Sequence, residues 1–201
     1  MIRILLADDE TLIRDALAGL LGLEEDFEVV AVAASGTEAV AAARHHRPDI
    51  CLLDLQMPGC DGIEAAAQIL AELPTTGCLV VTSHGRPGHL KKALATGVRG
   101  FLPKTTAAAE LGRVIRQVNR GGRHVDPQLA AEAIAAGDSP LTPREADVLE
   151  LAGDGAPVEE IALRAHLSPG TVRNYLSSAV AKLGTQNRHE AIALARRQGW
   201  I

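Results

Sequence analysis

The sequence predicts an α/β domain with a doubly wound, five-stranded parallel sheet, joined to a small all-α domain. Short aliphatic runs alternate with helical patterns over residues 1–120, turn residues cluster over 121–140, and helical patterns fill 141–201. A chain of 201 residues is long enough for two small domains of this kind. We therefore expect a first domain at 1–120, a linker with one short helix at 121–140, and a second domain at 141–201.

The candidate strands are short and rich in Val, Ile and Leu, with little polar alternation, as buried parallel strands are. They are predicted at Arg3–Ala7, Glu28–Ala33, Ile50–Leu53, Cys78–Thr82 and Arg99–Leu102. Helical patterns separate and follow them, at Leu12–Leu21, Gly36–His46, Gly62–Leu73, Gly88–Thr96 and Ala108–Arg120. This alternation predicts helices on both faces of one sheet, with functional loops beyond the carboxyl ends of the strands.

Helix-start signals define the rest of the chain. One short helix is predicted after Pro127, within the linker. Thr142 opens the second domain as a helix cap, and Glu145, three residues on, completes a capping box. A further helix is predicted over residues 157–165, and Ser168 caps the next one.

Composition excludes several classes of protein. The formal net charge of −5 argues against a protein that coats nucleic acid by bulk charge. No apolar run approaches the roughly 18 residues of a membrane span, so no membrane contact is expected. The acidic residue at Asp8 comes too early for a secretory signal. Cys51, Cys60 and Cys78 lack the spacing of a disulfide scaffold or zinc site, which favours a reducing, cytoplasmic location.

Charged and polar side chains follow successive strands of the predicted sheet. Asp8 and Asp9 come after the first strand, Asp54 closes the third, Thr82 closes the fourth, and Lys104 follows the fifth. Packed carboxylates repel one another, and a divalent cation that prefers oxygen ligands, such as magnesium, relieves that repulsion. A single aspartate here is more often a turn or helix cap. Together, however, the five residues supply what a phosphoryl acceptor needs: a nucleophile, a metal, a hydroxyl and an ammonium group.

Four motifs in this half resemble the receiver domain of bacterial two-component response regulators. They are Leu6–Glu10, Asp54–Gly62, Val81–Ser83 and Gly100–Lys104. The resemblance covers residues 1 to about 120 and implies a flavodoxin-like fold. It also implies that Asp54 is the phospho-acceptor and that a sensor histidine kinase supplies the phosphoryl group.

The same resemblance assigns roles around Asp54. Asp9, Asp54 and the carbonyl of Gln56 would ligate Mg²⁺, while Asp8 would act mostly through water. Lys104 would pair with the acceptor carboxylate or with its phosphate.

The resemblance further implies a switch pair, in which the Thr82 hydroxyl turns toward the phosphate as the Phe101 ring moves inward. Pro103 departs from the family pattern, since many relatives have an aliphatic residue before the lysine. Its ring fixes a backbone dihedral and removes an N–H, which bears on how far Lys104 reaches into the site.

The carboxyl-terminal helices carry a second constellation. A buried stripe is predicted at Val172, Leu176, Val180 and Leu183, and an outward polar face at Arg173, Asn174, Ser177 and Ser178. An ordinary helical bundle with a solvated face fits this pattern as well as a helix-turn-helix does. Charge placement favours the helix-turn-helix, because 141–166 holds two basic and six acidic residues whereas 167–201 holds five basic and one acidic.

Three segments of this half resemble the LuxR-type helix-turn-helix domain. They are Leu141–Glu145, Leu167–Tyr175 and Ala181–Gly184. Together the two halves resemble the NarL/FixJ family of response regulators. That resemblance implies base contacts by Arg173, Asn174 and Ser177, and it implies phosphate contacts by Thr171, Lys182 and Arg188. It also implies a homodimer that forms on phosphorylation and binds double-stranded promoter DNA to regulate transcription.

Two other function classes fit parts of the sequence. A phosphatase of the haloacid-dehalogenase type also uses a strand-end aspartate and magnesium, but its Asp-x-Asp-x-Thr pattern is absent from residues 8–11. A receiver that regulates without phosphorylation typically lacks an acidic residue, the threonine or the lysine, and all of these are present. We therefore expect a transcription regulator that depends on phosphorylation, and not an enzyme.

Overall fold

The computed structural model describes residues 1–83, 87–135, 137, 139–165 and 167–201. The chain divides into two compact units, the first formed mainly by residues 1–130 and the second mainly by residues 131–201. Among the described helices, none is both long and apolar enough to cross a membrane.

The first unit alternates strands and helices as predicted. Its strands are β1 (Ile2–Ala7), β2 (Phe27–Ala33), β3 (Ile50–Asp54), β4 (Gly77–Thr82), β5 (Gly100–Pro103) and β6 (His124–Val125). Its helices are α1 (Thr11–Leu21), α2 (Gly36–His46), α3 (Gly62–Glu72), α4 (Pro87–Thr96) and α5 (Ala108–Asn119). Over the described residues the strands form one parallel sheet in the order β2-β1-β3-β4-β5-β6. The predicted doubly wound α/β class is confirmed, and each predicted strand is present within a residue or so of its expected bounds.

A sixth strand corrects the predicted count of five. β6 lies inside the segment predicted as a linker, where His124 pairs with Gly100 and Val125 with Phe101. The backbone N–H of His124 donates to the carbonyl of Arg99 at 2.8 Å. Two residues are too few to show a strand period in the sequence, yet they cover an edge of β5 that would otherwise leave its backbone groups unpaired.

Both faces of the sheet are buried, as the doubly wound class requires. One face packs on α1 and α5, with a core that includes Ile4, Leu52 and Leu79 on the sheet and Ile115 on α5. Neighbouring strand residues point to the other face, and one of them, Leu53, is equally buried. Burial of each such aliphatic side chain contributes roughly 1.5–3 kcal/mol. The core therefore holds the carboxyl ends of the strands in fixed positions.

The second unit is helical, also as predicted. Its helices are α7 (Pro143–Leu151), α8 (Val158–Ala165), α9 (Pro169–Lys182) and α10 (Arg188–Gln198), and α6 (Pro127–Ala135) leads into them. The predicted capping box is present, because Thr142 Oγ1 accepts from the Glu145 N–H and Glu145 accepts from the Thr142 N–H. The buried stripe of α9 runs through Val172, Leu176 and Ala179, and the predicted positions Val180 and Leu183 are only half-buried.

Candidate functional site

Three carboxylates converge at the carboxyl edge of the sheet. Asp8 and Asp9 follow β1 and Asp54 ends β3, and these two strands pair directly with Ala7 opposite Leu53. One carboxylate oxygen from each aspartate lies within 4.8 Å of the others. Asp8 and Asp54 are buried, with 2% and 5% of their surfaces exposed, whereas Asp9 is exposed. The structure therefore brings together the acidic residues that the strand ends predicted.

This acidic cluster has the chemistry of a divalent-cation site. Hard carboxylate oxygens are the ligands that such ions prefer, and three of them share one small volume. Burial and the charges of Asp8 and Asp9 together raise the pKa of Asp54 to about 6, although Lys104 acts to lower it. The site thus holds more negative charge than its protein surroundings balance, and the residues fit a bound cation. Gln56 lies exposed in the loop two residues after Asp54.

A close backbone contact fixes the loop that carries Asp54. The N–H of Leu55 donates to the carbonyl of Val81 at 2.9 Å, and the N–H of Gly62 donates to the carbonyl of Leu55 at 3.0 Å. A Cβ atom on Gly62 would lie 2.1 Å from the carbonyl oxygen of Asp54. Only glycine allows α3 to begin this close to the end of β3.

Lys104 reaches into the acidic cluster despite Pro103. Its Nζ lies 2.9 Å from Asp8 Oδ2, 2.9 Å from Glu10 Oε1 and 3.3 Å from Asp54 Oδ2. Burial alone would lower the pKa of Lys104, but hydrogen bonds to Asp8 and Glu10 and the charge of Asp54 hold it above its usual range. Lys104 therefore stays charged and links three carboxylates at once.

The two predicted switch residues lie in the same part of the sheet. Thr82 ends β4 and is almost fully buried, and Phe101 on β5 is fully buried. In the register of the sheet, Phe101 stands opposite Val80 and Pro103 opposite Thr82. The Phe101 ring therefore already occupies the inward position that the resemblance associates with the switched state.

The predicted base-reading residues lie on the open face of α9. Arg173, Asn174 and Ser177 are all exposed. Arg173 Nη2 lies 3.1 Å from Glu159 Oε1 on α8, an exposed pair of little energetic weight.

Three residues near this face have contacts inside the helical unit. Thr171 is half-buried, and its Oγ1 lies 2.8 Å from Ser168 Oγ. Arg188, the first residue of α10, donates to the carbonyl of Ala156 at 3.3 Å. Lys182 Nζ donates to Glu145 Oε2 at 2.7 Å. The predicted phosphate-contacting residues Thr171, Lys182 and Arg188 are thus held by neighbours, whereas the base-reading ones are open to solvent.

A buried glutamate joins α7 to α9. Glu145 is 4% exposed and accepts from Lys182 Nζ at 2.7 Å, from Ser178 Oγ at 2.6 Å and from the N–H of Thr142 at 2.7 Å. Burial would raise its pKa, but the hydrogen bonds from Lys182 and Ser178 lower it to about 2. Ser178 therefore faces inward, which corrects its predicted place on the outward polar face of α9.

Three glutamates with no functional role in the sequence analysis contact predicted site residues: Glu10 contacts Lys104, Glu159 contacts Arg173, and Glu145 contacts Lys182. The place of Glu10 directly after the aspartate pair was a signal in the sequence. The other two contacts join separate helices, and no local spacing indicates them.

The sheet with its acidic edge and the helical unit with its exposed polar helix are the two parts of a bacterial response regulator. Residues 4–116 match the response regulator receiver domain, and residues 139–195 match the bacterial regulatory proteins of the luxR family. The chain belongs to the two-component response regulators of the NarL/FixJ type, which join these two domains.

Individual proteins show the same resemblance over two thirds or more of the chain. The sequence is 42% identical over 203 residues to the transcriptional regulatory protein DesR of Bacillus subtilis (strain 168), with complete coverage of both chains. A crystal structure of a LuxR-family two-component response regulator from Aurantimonas sp. SI85-9A1 is 32% identical with a TM-score of 0.63, and it covers 67% of this chain and 96% of that one. The response regulator RcsB in its DNA complex is 25% identical with a TM-score of 0.66 and 98% coverage of both chains. The predicted family and the predicted class, a transcription regulator, are confirmed.

Proposed function

We propose that this chain accepts a phosphoryl group on Asp54 from a sensor histidine kinase and then binds promoter DNA as a homodimer to regulate transcription. The observation that carries the proposal is the acidic cluster with its lysine. The carboxylates of Asp8, Asp9 and Asp54 converge within 4.8 Å, and Lys104 Nζ contacts two of them.

In the proposed transfer, one carboxylate oxygen of Asp54 forms a bond to phosphorus as the bond from phosphorus to the donor nitrogen breaks. The electron pair of the broken bond stays with the donor. With a pKa of about 6, Asp54 is mostly ionised at pH 7.5, so the nucleophile is available.

We assign Mg²⁺ to Asp9, Asp54 and the carbonyl of Gln56, with Asp8 acting mostly through water. Mg²⁺, when bound, supplies positive charge that offsets the charge of the phosphoryl oxygens. Lys104 adds a second positive charge from the protein, and its backbone N–H donates to the carbonyl of Thr82 at 2.7 Å. This bond ties the phosphate-binding lysine directly to the proposed switch residue Thr82.

We assign phosphorylation to a receiver domain at 1–120 and DNA binding to 141–201, with β6 and α6 in the segment 121–140. Arg173, Asn174 and Ser177 would read base edges, and Thr171, Lys182 and Arg188 would contact phosphates. The exposure of the first three supports the base contacts, and the RcsB–DNA complex supports DNA as the ligand of this domain type. A single helix-turn-helix unit contacts little DNA surface, which favours two units on paired half-sites.

We further propose a cytoplasmic location. A transcription regulator needs access to the chromosome, and Cys51, Cys60 and Cys78 are buried free thiols of the kind that a reducing compartment maintains.

The acceptor is tested with acetyl phosphate and Mg²⁺, followed by phosphate-affinity electrophoresis. Wild type should carry one phosphoryl group, and Asp54→Asn should carry none. Efficient labelling of Asp54→Asn would overturn the assignment of the acceptor.

The inward Phe101 ring favours one alternative, in which the protein binds DNA without phosphorylation. Sedimentation and DNA footprinting, with and without a phosphate mimic, distinguish phosphorylation-dependent from phosphorylation-independent DNA binding. Phosphorylation-dependent function requires that the mimic raises both the dimer population and the affinity for paired half-sites. If Asp54→Asn binds those sites as tightly as the mimic-loaded wild type, the alternative holds.

A further inference from the structure

Glu10 contacts Lys104 but has no part in the proposed phosphorylation chemistry. Its Oε1 lies 2.9 Å from Lys104 Nζ, as close as Asp8 Oδ2 and closer than Asp54 Oδ2 at 3.3 Å. Glu10 is not one of the three converging carboxylates. Its side chain is 56% exposed, whereas that of Lys104 is only 9% exposed. Lys104 is therefore shared between two buried carboxylates and one that faces solvent.

The local backbone directs Glu10 toward the lysine. Glu10 is the N-cap residue of α1, yet its side chain makes no capping hydrogen bond. Its backbone N–H donates to Asp8 Oδ1 at 2.9 Å, and its carbonyl accepts from the Arg14 N–H at 2.9 Å. Arg14 also donates to the carbonyl of Asp8 at 2.7 Å. The turn between β1 and α1 is thus held on both sides of Glu10, and the free carboxylate contacts Lys104.

We propose that Glu10 is a positioning residue that competes with the incoming phosphoryl group for Lys104 and thereby slows phosphorylation of Asp54. This inference rests on the function proposed above. An ammonium group has three N–H donors, and three carboxylates surround this one. A phosphoryl group on Asp54 adds charged acceptor oxygens, and Lys104 can turn more of its donors to them if it releases a partner other than Asp54.

Glu10 is the partner that Lys104 can release at the lowest cost. A released Glu10 is hydrated at once, because its side chain is already half in water. Release of Asp8 would leave a buried carboxylate without its cation, which costs far more. The exposed carboxylate therefore holds the lysine in the resting protein and gives it up when the phosphoryl group forms.

The test measures the rate of Asp54 labelling by acetyl phosphate with Mg²⁺ in the full chain. Glu10→Gln keeps the size of the side chain and removes its charge, and it should label about threefold to fivefold faster than wild type. Glu28→Gln is the matched control, since Glu28 is an exposed glutamate at the amino end of β2, beside Arg3. It changes the net charge equally and should label at the wild-type rate.

A double-mutant cycle shows whether the effect passes through the lysine. Lys104→Ala retains the nucleophile and the acidic cluster, so it should still label. In that background Glu10→Gln should not accelerate labelling, because the ammonium group for which Glu10 and the phosphoryl group compete is gone. Lys104→Met serves as a second background if circular dichroism shows that Lys104→Ala is unfolded.

Three outcomes would overturn the inference: a wild-type rate for Glu10→Gln, an equal acceleration by Glu28→Gln, or an acceleration that persists without Lys104. Failure of the proposed function has a different signature, namely that wild type does not label or that Asp54→Asn does.

Discussion

Two buried carboxylates in this protein each contact a lysine, yet their pKa values shift in opposite directions. In the receiver domain, burial and the charges of Asp8 and Asp9 together raise the pKa of Asp54 to about 6. In the helical domain, burial acts in the same direction on Glu145, but hydrogen bonds from Lys182 and Ser178 lower its pKa to about 2.

The number of donors for each carboxylate accounts for the difference. Glu145 accepts from an ammonium, a hydroxyl and a backbone N–H. Asp54 shares its lysine with Asp8 and Glu10. A satisfied carboxylate stabilises a fold, whereas one short of donors is available to bind a cation and react.

The largest expected effect is a change in the free energy of unfolding when the charge of Glu145 or Asp54 is removed by an isosteric substitution. Glu145→Gln should cost roughly 2–3 kcal/mol, because a buried, fully bonded carboxylate is replaced by a neutral group that also brings unpaired donors. Asp54→Asn should unfold at an equal or higher urea concentration in Mg²⁺-free buffer, since it removes poorly balanced negative charge. Urea unfolding followed by circular dichroism measures both, and equal destabilisation by the two changes would refute the comparison.

The same comparison predicts how the contribution of Glu145 to the free energy of unfolding depends on pH. The folded pKa of about 2 lies below the model-peptide value of about 4.5, so Glu145 stabilises the folded state above pH 4.5. That contribution, roughly 3 kcal/mol, should be lost as the pH falls from about 4.5 toward 2. Trp200, the one tryptophan, packs on the core of the helical domain and reports its unfolding. The stability difference between wild type and Glu145→Gln should shrink over this range, and a constant difference would contradict the assignment.

A smaller effect tests the backbone that presents Asp54. Gly62→Ala places a Cβ 2.1 Å from the Asp54 carbonyl oxygen, so the loop that carries Asp54 must shift. We expect labelling by acetyl phosphate to slow about tenfold, since small displacements of a reacting group are costly. Gly19→Ala on α1 is the matched control, because a Cβ there meets nothing within 4 Å. It should label like wild type, and equal slowing by both changes would indicate a general effect on the fold.

The smallest expected effect concerns Lys182, the lysine that contacts Glu145 in the helical domain. Lys182→Ala should lower the magnitude of the salt slope of DNA binding by about one and weaken all sequences similarly. Arg173→Ala should instead relax preference at one base position, at a cost of about 1–3 kcal/mol there. Binding to a panel of site variants at several salt concentrations distinguishes them. An unchanged salt slope for Lys182→Ala would mean that Lys182 pairs with Glu145 and does not contact DNA phosphates.

Local pattern made most of the fold predictable. The strands of the receiver domain are aliphatic runs between helical patterns, and the carboxylates at their ends fall on one edge because parallel strands share a direction. β6 escaped prediction because two residues show no period. Ser178 adjoins the exposed Ser177 on α9, at the boundary between the two faces of the helix, where periodicity alone cannot assign a side.

Long-range pairing was the part that sequence spacing could not supply. Glu145 at the third position of a helix fits a solvent-facing cap, and its burial depends on Ser178 and Lys182, 33 and 37 residues away. Glu10 and Lys104 are 94 residues apart. Such contacts depend on how elements pack in three dimensions, which no local motif encodes.

The short strand β6 and the residue that follows it tie the start of α6 to β5. The N–H of Asp126, just after β6, donates to the carbonyl of Phe101 at 3.1 Å. The Asp126 carboxylate accepts from the N–H groups of Gln128 and Leu129, in the first turn of α6. Any displacement of the Phe101 backbone must therefore either pull the start of α6 along or break this short tether. A motion of β5 at the proposed switch residue is therefore transmitted to the first turn of α6 through hydrogen bonds.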